Sequence, residues 1–205
     1  MKNINTIMRS IGLSLVLGSF PLMDVMGESV TISHLVNEQN IVLIKDSESK
    51  YLLLPVQENA PEGKVNIVVN NELQLGQNIN VRLAREKVDY YVPLDLSAYQ
   101  GKTISIDVTG MPSSSLCWKE IKLSDTFDSS NRETYRPVYH HTPMYGWMND
   151  PNGMFYKDGV YHLYFQYNPY GSMWGNMTWG HSTSTDLTHW TYEGYKLKSV
   201  PINKS

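Results

Sequence analysis

Residues 153–166 decide the fold of the second half of this chain, and they read GMFYKDGVYHLYFQ. Residues 153–156 and 160–166 are rich in aromatic and β-branched side chains, which favour strands. Between the two runs stands Lys157-Asp158-Gly159, and an Asp-Gly pair in this position is typical of a tight two-strand connection. The stretch therefore predicts an antiparallel β-hairpin.

Two more strand candidates follow this hairpin, at residues 177–184 and 189–193, after a loop rich in proline and glycine at residues 168–175. Four short antiparallel strands in about 40 residues match the size of one β-propeller blade. One blade alone cannot bury both faces of its sheet, so it needs neighbours on each side. The strand count therefore predicts one propeller-like blade over residues 128–205.

The segment before it, residues 28–127, predicts a second all-β unit. Eight short runs of strand character are separated by turn-forming residues; they are residues 29–32, 41–44, 51–57, 65–69, 79–84, 88–94, 103–108 and 118–123. Runs of this length and spacing are typical of a small antiparallel β-sandwich, and no long helical stretch interrupts them. Residues 125–136 are polar and predict a connector between the two units.

The composition, net charge and cysteine count of the chain exclude several classes of partner and site. The 205 residues are 41% hydrophobic and 18% charged, which indicates a folded globular protein. A formal net charge of -3 gives no long-range attraction to nucleic acid or to anionic lipid, so neither is an expected partner. The single cysteine, Cys117, excludes an internal disulfide framework and a cysteine-rich zinc site. His140 and His141 lack a third ligand at a sensible spacing, so we expect no metal and no cofactor.

The first 27 residues have the layout of a secretory signal peptide. Lys2 and Arg9 give a positive start, residues 11–20 are apolar, and Gly27 closes a possible cleavage site. The apolar stretch is too short to span a membrane. We therefore expect an exported protein, periplasmic or extracellular, that begins near Glu28 and has no membrane anchor.

One motif carries the chemistry, and it reads WMNDPNG at residues 147–153. Taken alone, its last five residues make a good turn, in which Asp150 would be a solvated carboxylate. Trp147 and Met148 are large apolar side chains, however, and exposing them on a simple surface turn is energetically unfavourable. Gln166, Trp174, Trp179 and His181 all follow within 31 residues of Asp150. The sixteen aromatic residues between positions 135 and 195 suit either a packed core or a platform on which sugar rings stack.

The chain from residue 136 to about residue 190 resembles glycoside hydrolase family 32, the β-fructosidases that include levanases, inulinases and invertases. The blocks that carry the resemblance occur in the family's order: YHHTP at residues 139–143, GWMNDPNG at 146–153, YFQYNP at 164–169, WGNMTWGH at 174–181 and STDLTHW at 184–190. Residues 28–127 are more weakly similar to the accessory module that precedes the propeller in some bacterial members.

The resemblance implies a secreted enzyme that cleaves fructofuranosidic bonds with retention, acting on a fructan or a fructose-containing oligosaccharide. It also implies that residues 128–205 are the first, partial blade of an incomplete five-bladed β-propeller. In that family the aspartate of the WMNDPNG block is the nucleophile, which corresponds to Asp150. Asn149, Gln166 and Trp174 correspond to residues that line the pocket for the terminal fructosyl unit, the first two through hydrogen bonds and the third as an apolar wall. The resemblance leaves open whether the reaction is hydrolysis or fructosyl transfer, and which fructan is preferred.

Two family blocks do not occur in this sequence. They are an Arg-Asp-Pro block, whose aspartate stabilises the transition state, and a Glu-Cys block, whose glutamate is the acid/base. Residues 195–205 also depart from the family pattern, which we interpret as the mark of a shifted or prematurely ended reading frame or of an error in gene prediction. We expect the chain as it stands to be inactive. The alternative is a non-catalytic carbohydrate-binding or structural β-sandwich protein with a vestigial blade.

Overall fold

The computed structural model describes residues 29–74, 79–130, 136–137 and 139–197. The strands are β1 (Ser29–His34), β2 (Gln39–Lys45), β3 (Tyr51–Val56), β4 (Gly63–Val69), β5 (Glu72–Leu73), β6 (Ile79–Val81), β7 (Tyr90–Asp95), β8 (Ile104–Thr109), β9 (Lys122–Ser124), β10 (Trp147–Lys157), β11 (Val160–Asn168), β12 (Thr178–Ser184) and β13 (Thr191–Leu197). A 3₁₀ turn (Ser97–Tyr99) and one short helix, α1 (Cys117–Glu120), complete the described elements.

The first nine strands form two antiparallel sheets around one core, and we call this part the N-terminal unit. One sheet has the order β1-β2-β8-β4-β5, with β6 also paired to β4, and the other has the order β7-β3-β9. Both sheets contribute to a single cluster of buried apolar side chains. In β8, Ile104, Ile106 and Val108 are buried, while Ser105 and Asp107 between them are half-buried on the other face. Fully burying an isoleucine stabilises the fold by about 1.5–3 kcal/mol.

The fourteen-residue hairpin predicted at residues 153–166 is confirmed, and it belongs to a four-stranded antiparallel sheet of order β10-β11-β12-β13. Asp158 and Gly159 connect β10 to β11 with φ angles of 50° and 85°, the left-handed conformation that the tight hairpin turn requires. Leu163, Phe165 and Tyr167 are buried on one face of β11 and form a second, smaller core. The chain is therefore mostly β, in three antiparallel sheets, as the sequence predicts.

One predicted strand is wrong in part. Residues 118–123 have strand character, but the first three of them lie in α1, and β9 begins only at Lys122. The main-chain N–H of Ile121 donates to the carbonyl of Cys117 at 2.9 Å, which closes one helical turn. The indole N–H of Trp118 donates to the carbonyl of Pro112 at 2.8 Å. Cys117 and Trp118 are buried in the N-terminal unit. This burial outweighs the strand propensity of residues 118–123.

Several predictions concern residues whose structure is not described. The signal peptide of residues 1–27 lies outside the described residues, as do most of the second half of the connector and residues 198–205 of the tail. Within the described part of the chain the four-stranded sheet forms no closed propeller. No described helix has the length and apolar character needed to cross a membrane.

Candidate active site

Two of the predicted site residues meet across the first pair of strands of the four-stranded sheet. Asn149 in β10 lies directly opposite Gln166 in β11, and Gln166 in turn lies opposite Trp179 in β12. The side-chain amide of Asn149 donates to Oε1 of Gln166 at 3.0 Å. Because directly opposed residues project from the same face of a sheet, these three side chains form one row. Trp179 is the third member of this row, and no local pattern in the sequence indicates its place there.

Asp150 lies beside this row, at an irregular point of β10. The register between β10 and β11 breaks between Asn149 and Pro151, so Asp150 has no regular partner in β11. Pro151 cannot donate a main-chain hydrogen bond, and a bulge of this kind re-aims the side chain next to it. A second break follows between Asn152 and Phe155. Asp150 is exposed to solvent, so a ligand can reach its carboxylate.

Trp174 lies in the loop at residues 169–177, between β11 and β12, and is 68% exposed. Asn168, at the end of β11, organises this loop although it is itself buried. Its Oδ1 accepts from the main-chain N–H of Tyr170 at 2.9 Å, and its Nδ2 donates to the carbonyl of Met173 at 2.8 Å. The structure joins Asn149 to Gln166 by a direct contact, whereas Trp174 belongs to this separate loop.

The same loop is attached to the N-terminal unit. Tyr170 is only 6% exposed and is part of the large core of that unit. The side chain of Asn176 makes two hydrogen bonds with the main chain of Asn80 in β6, donating to its carbonyl at 2.9 Å and accepting from its N–H at 2.8 Å. The hydroxyl of Ser172 also bonds to the carboxylate of Glu58. Sequence reasoning missed this attachment, since no local pattern shows where a loop side chain will be buried.

Histidines stack within the four-stranded sheet. His181 is buried, and its ring lies parallel to that of Tyr164 with centroids 4.3 Å apart. A hydrogen bond of 3.0 Å joins its Nε2 to Nδ1 of His162. His141 packs against Phe165, and burial together with the positive charge of Arg136 lowers its pKa below the ordinary 6.5. Among the described residues, no group of three or more His, Cys, Asp or Glu side chains is placed to hold a metal ion.

Asp186 is a further carboxylate of this sheet, in the turn after β12. It accepts from the main-chain N–H groups of Thr188 and His189 at 2.8 and 2.7 Å, and from Nδ1 of His189 at 2.7 Å. These hydrogen bonds hold its pKa well below the usual range. The neighbouring indole of Trp190 is half-buried and packs on His141. Asp186 therefore organises a turn, and its position gives it no contact with the Asn149–Gln166 pair.

The fold is mostly β, with a unit of two sheets joined to a four-stranded sheet. The four-stranded sheet bears an exposed carboxylate beside a pair of side-chain amides. Residues 36–139 match the family described as "Domain of unknown function (DUF4980)". Because that match spans half of the chain, the chain belongs to this family. Residues 140–204 match the family described as "Glycosyl hydrolases family 32 N-terminal domain", so the resemblance found in the sequence is confirmed.

Similar proteins match the second part of the chain. An extracellular exo-inulinase of Aspergillus niger is 62% identical over 58 residues, which are 28% of this chain and 11% of the relative. A levanase of Bacillus subtilis is 57% identical over 70 residues, 34% of this chain and 10% of the relative. The crystal structure of an exo-inulinase from Aspergillus awamori is 54% identical, with a TM-score of 0.32, over 33% of this chain and 13% of that one. The chain spans about a tenth of the length of the curated relatives it matches.

Proposed function

We propose that this chain carries the nucleophile and part of the fructosyl pocket of a secreted retaining glycosidase, which acts on fructofuranosidic bonds of fructans or sucrose-like sugars. The observation that supports it best is the exposed Asp150 beside the hydrogen-bonded pair of Asn149 and Gln166. The names of the relatives, exo-inulinase and levanase, supply the substrate class. In this proposal the four-stranded sheet is the first blade of a propeller.

Asp150 attacks the anomeric carbon of the fructosyl unit. Cleavage at that carbon passes through an oxocarbenium-like transition state, whose charge the nearby carboxylate stabilises. The carboxylate then bonds to the anomeric carbon and forms the covalent fructosyl–enzyme intermediate. Solvent exposure leaves this carboxylate accessible to a ligand. The register break around Asp150 aims the side chain away from the regular ladder of β10, which is what a nucleophile that must reach a ligand requires.

Asn149 and Gln166 hold the sugar hydroxyl groups. An amide offers both a donor and an acceptor, and the 3.0 Å bond between the two side chains fixes how each one is oriented. Gln166 keeps its amide N–H₂ group for a second partner, because its Oε1 is the atom that accepts from Asn149. Trp174, with 68% of its surface exposed, supplies the apolar wall.

The acid that protonates the leaving oxygen comes from outside residues 140–197. A retaining glycosidase needs a second carboxyl group about 5–5.5 Å from the first, with a raised pKa. Asp186 has a lowered pKa and is held in a turn, Asp158 occupies the hairpin turn, and Glu193 accepts from the hydroxyl of Thr183 at 3.0 Å. None of these three carboxylates suits that role, and the sequence contains no Glu-Cys block to supply the acid. We therefore expect the 205-residue chain alone to release no fructose.

A chimera tests the proposal. The 70 residues of the Bacillus subtilis levanase that match this chain are replaced by the corresponding residues of this chain, and fructose release from levan is measured. We expect an active chimera, and we expect Asp150→Asn to lower its kcat by at least about a thousandfold, since removing a nucleophile costs this much or more.

The matched control is Asp158→Asn, an isosteric change in the same hairpin at a turn position that asparagine tolerates. It should leave kcat within about twofold, because a surface change away from the site has little effect. A chimera that keeps its activity with Asp150→Asn contradicts the proposal. An active chimera that loses activity equally with both variants contradicts it as well, because the loss is then not specific to Asp150.

A further inference from the structure

A cleft of about 360 Å³ lies where the N-terminal unit, the connector and the four-stranded sheet meet. The rings of Tyr90, Tyr91, Phe127 and Tyr145 line it, together with Asp128 and Ser172. All four rings are half-buried, so each retains surface for a ligand. Small-molecule sites commonly have volumes of this order and occur at the junctions of structural units. No residue of this cleft belongs to the Asp150 site.

The two tyrosines from β7 are fixed by contacts of their hydroxyl groups. Tyr90 donates to Oε2 of Glu58 at 2.8 Å, and Tyr91 donates to Oε2 of Glu120 at 2.8 Å. The ammonium group of Lys122 lies 4.5 Å from the centre of the Tyr91 ring. These contacts hold both rings in place before a ligand arrives, which lowers the entropy cost of binding.

The opposite wall is fixed in the same way. The ring of Phe127 meets that of Tyr145 edge-on, with centroids 5.0 Å apart. The hydroxyl of Tyr167 donates to the main-chain carbonyl of Tyr145 at 2.6 Å. A side chain at Gly146 would come within 2.4 Å of the carbonyl oxygen of Asn168, so only glycine lets the two segments approach this closely. The cleft is therefore a preorganised aromatic cleft.

The charge of the lining selects a neutral ligand. Among the described residues that line the cleft, none is a lysine, arginine or histidine, and Asp128 contributes a carboxylate. The ammonium group of Lys122 contacts the Tyr91 ring but is not among the residues that line the cleft. Aromatic faces beside hydroxyl groups and a carboxylate suit a sugar, whose C–H face stacks on a ring while its hydroxyl groups donate to oxygen atoms.

We propose that this cleft is a second sugar site, which holds one or two neutral fructosyl units of a fructan chain away from Asp150. The identity of the sugar rests on the proposed function, whereas the location and the neutral, hydroxyl-rich character of the ligand rest on the cleft. Ser172, which lines the cleft, belongs to the loop that bears Trp174. A fructan bound here would therefore lie against the loop that forms one wall of the proposed fructosyl pocket.

Binding to the 205-residue chain tests this inference without any need for catalysis. Inulin-type and levan-type trisaccharides are titrated into the chain, and binding is followed by calorimetry and by NMR chemical shifts. We expect one of the two trisaccharides, or both, to bind. We expect Tyr91→Ala to weaken that binding by about tenfold, the usual scale for loss of a stacked ring.

Two variants serve as controls for folding and position. Tyr91→Phe keeps the ring and loses the bond to Glu120, so binding should stay within about threefold of the unchanged chain. Tyr156→Ala removes an exposed ring of β10 that lies outside the cleft, and should leave binding unchanged. An NMR spectrum of Tyr91→Ala that keeps the dispersion of the unchanged chain shows that the variant folds.

Two results would overturn the cleft assignment. One is a folded Tyr91→Ala variant that binds as tightly as the unchanged chain, and the other is a chain that binds neither trisaccharide. Binding that falls with Asn149→Ala and not with Tyr91→Ala places the sugar at the Asp150 site, which contradicts the cleft and leaves the proposed function standing. If binding falls with Tyr91→Ala but the chimera keeps its activity with Asp150→Asn, the proposed function is contradicted and the cleft remains a sugar site.

Discussion

The side chain of Asn176 pairs with the main chain of Asn80 as a neighbouring strand would, donating at 2.9 Å and accepting at 2.8 Å. Asn80 belongs to β6, a strand of the N-terminal unit, while Asn176 lies two residues before the start of β12 in the four-stranded sheet. Asn176 also donates to Oδ1 of Asn168 at 3.2 Å. The amide of Asn176 thus links the loop that bears Trp174 to the N-terminal unit, in addition to the buried ring of Tyr170 and the hydrogen bond from Ser172 to Glu58.

Asn176→Ala should loosen this link. Each hydrogen bond contributes roughly 0.5–1.5 kcal/mol net, and a polar group left without its partner costs more. We expect faster hydrogen exchange at residues 169–177 and 79–81 and a loss of about 1–2 kcal/mol in the free energy of unfolding. Asn66→Ala, on neighbouring strand β4, is the control and should change neither region. Unchanged exchange in both regions of the Asn176 variant would show that the two hydrogen bonds do not hold the loop.

Gly180 is required by the core of the four-stranded sheet. A Cβ atom at this position would lie 2.3 Å from Cε2 of Phe165, a ring that is fully buried. We expect Gly180→Ala to lower the free energy of unfolding by about 1–3 kcal/mol, because a packed core tolerates extra volume poorly. Urea unfolding followed through the tryptophans of this sheet measures the effect.

The control for Gly180 is Gly171→Ala. Its nearest neighbour would be Nδ2 of Asn168 at 3.6 Å, an ordinary contact, and its φ is not in the left-handed region. This variant should unfold within about 0.5 kcal/mol of the unchanged chain. Equal stability of the two glycine variants would mean that Phe165 moves aside, and the packing described for β11 and β12 would then be wrong.

His141 should make stability depend on pH. Burial and the charge of Arg136 lower its pKa in the folded chain, so the folded state binds a proton less readily than the unfolded state does. The contribution of His141 to stability is therefore fully present above the pKa of the unfolded state, near 6.5. It is lost as the pH falls from there to the lower pKa of the folded state. Urea unfolding at pH 7 and pH 5 should show a smaller decrease for His141→Phe, which keeps an uncharged ring at this position.

The unchanged chain and the His141→Phe variant share all the other histidines. The difference between their losses of stability from pH 7 to pH 5 therefore isolates the effect of His141. Raising the salt concentration should reduce the part that comes from Arg136, which is screened, and leave the part that comes from burial. A decrease of the same size in both proteins would show that the proton at His141 has no bearing on folding.

The sequence predicts the strands well where polar and apolar residues alternate or where turn chemistry is specific. Asp158-Gly159 adopts the left-handed turn expected of it, and Ile104, Ile106 and Val108 alternate as the pattern requires. The prediction fails at Cys117 and Trp118, because burial selects a helical turn there against local propensity.

The candidate site is predicted less completely. Asn149, Asp150, Gln166 and Trp174 come from the motifs and from the family resemblance, and the structure adds the row from Asn149 through Gln166 to Trp179. That row depends on strand register, which no short motif specifies. The burial of Tyr170 in the core of the N-terminal unit is a contact between segments distant in sequence, so it could not be derived from local pattern.

The most direct test of the central claim is to locate the covalent intermediate. The chimera described above is prepared with alanine in place of the acid/base glutamate that the family resemblance implies, which slows release of the intermediate. It is mixed with a fructosyl donor that has an activated leaving group, quenched with acid and digested, and the peptides are weighed by mass spectrometry. If Asp150 is the nucleophile, one fructosyl unit will be found on the peptide that contains Asp150, and none when Asp150→Asn is added. A fructosyl unit on any other carboxylate would contradict this role of Asp150.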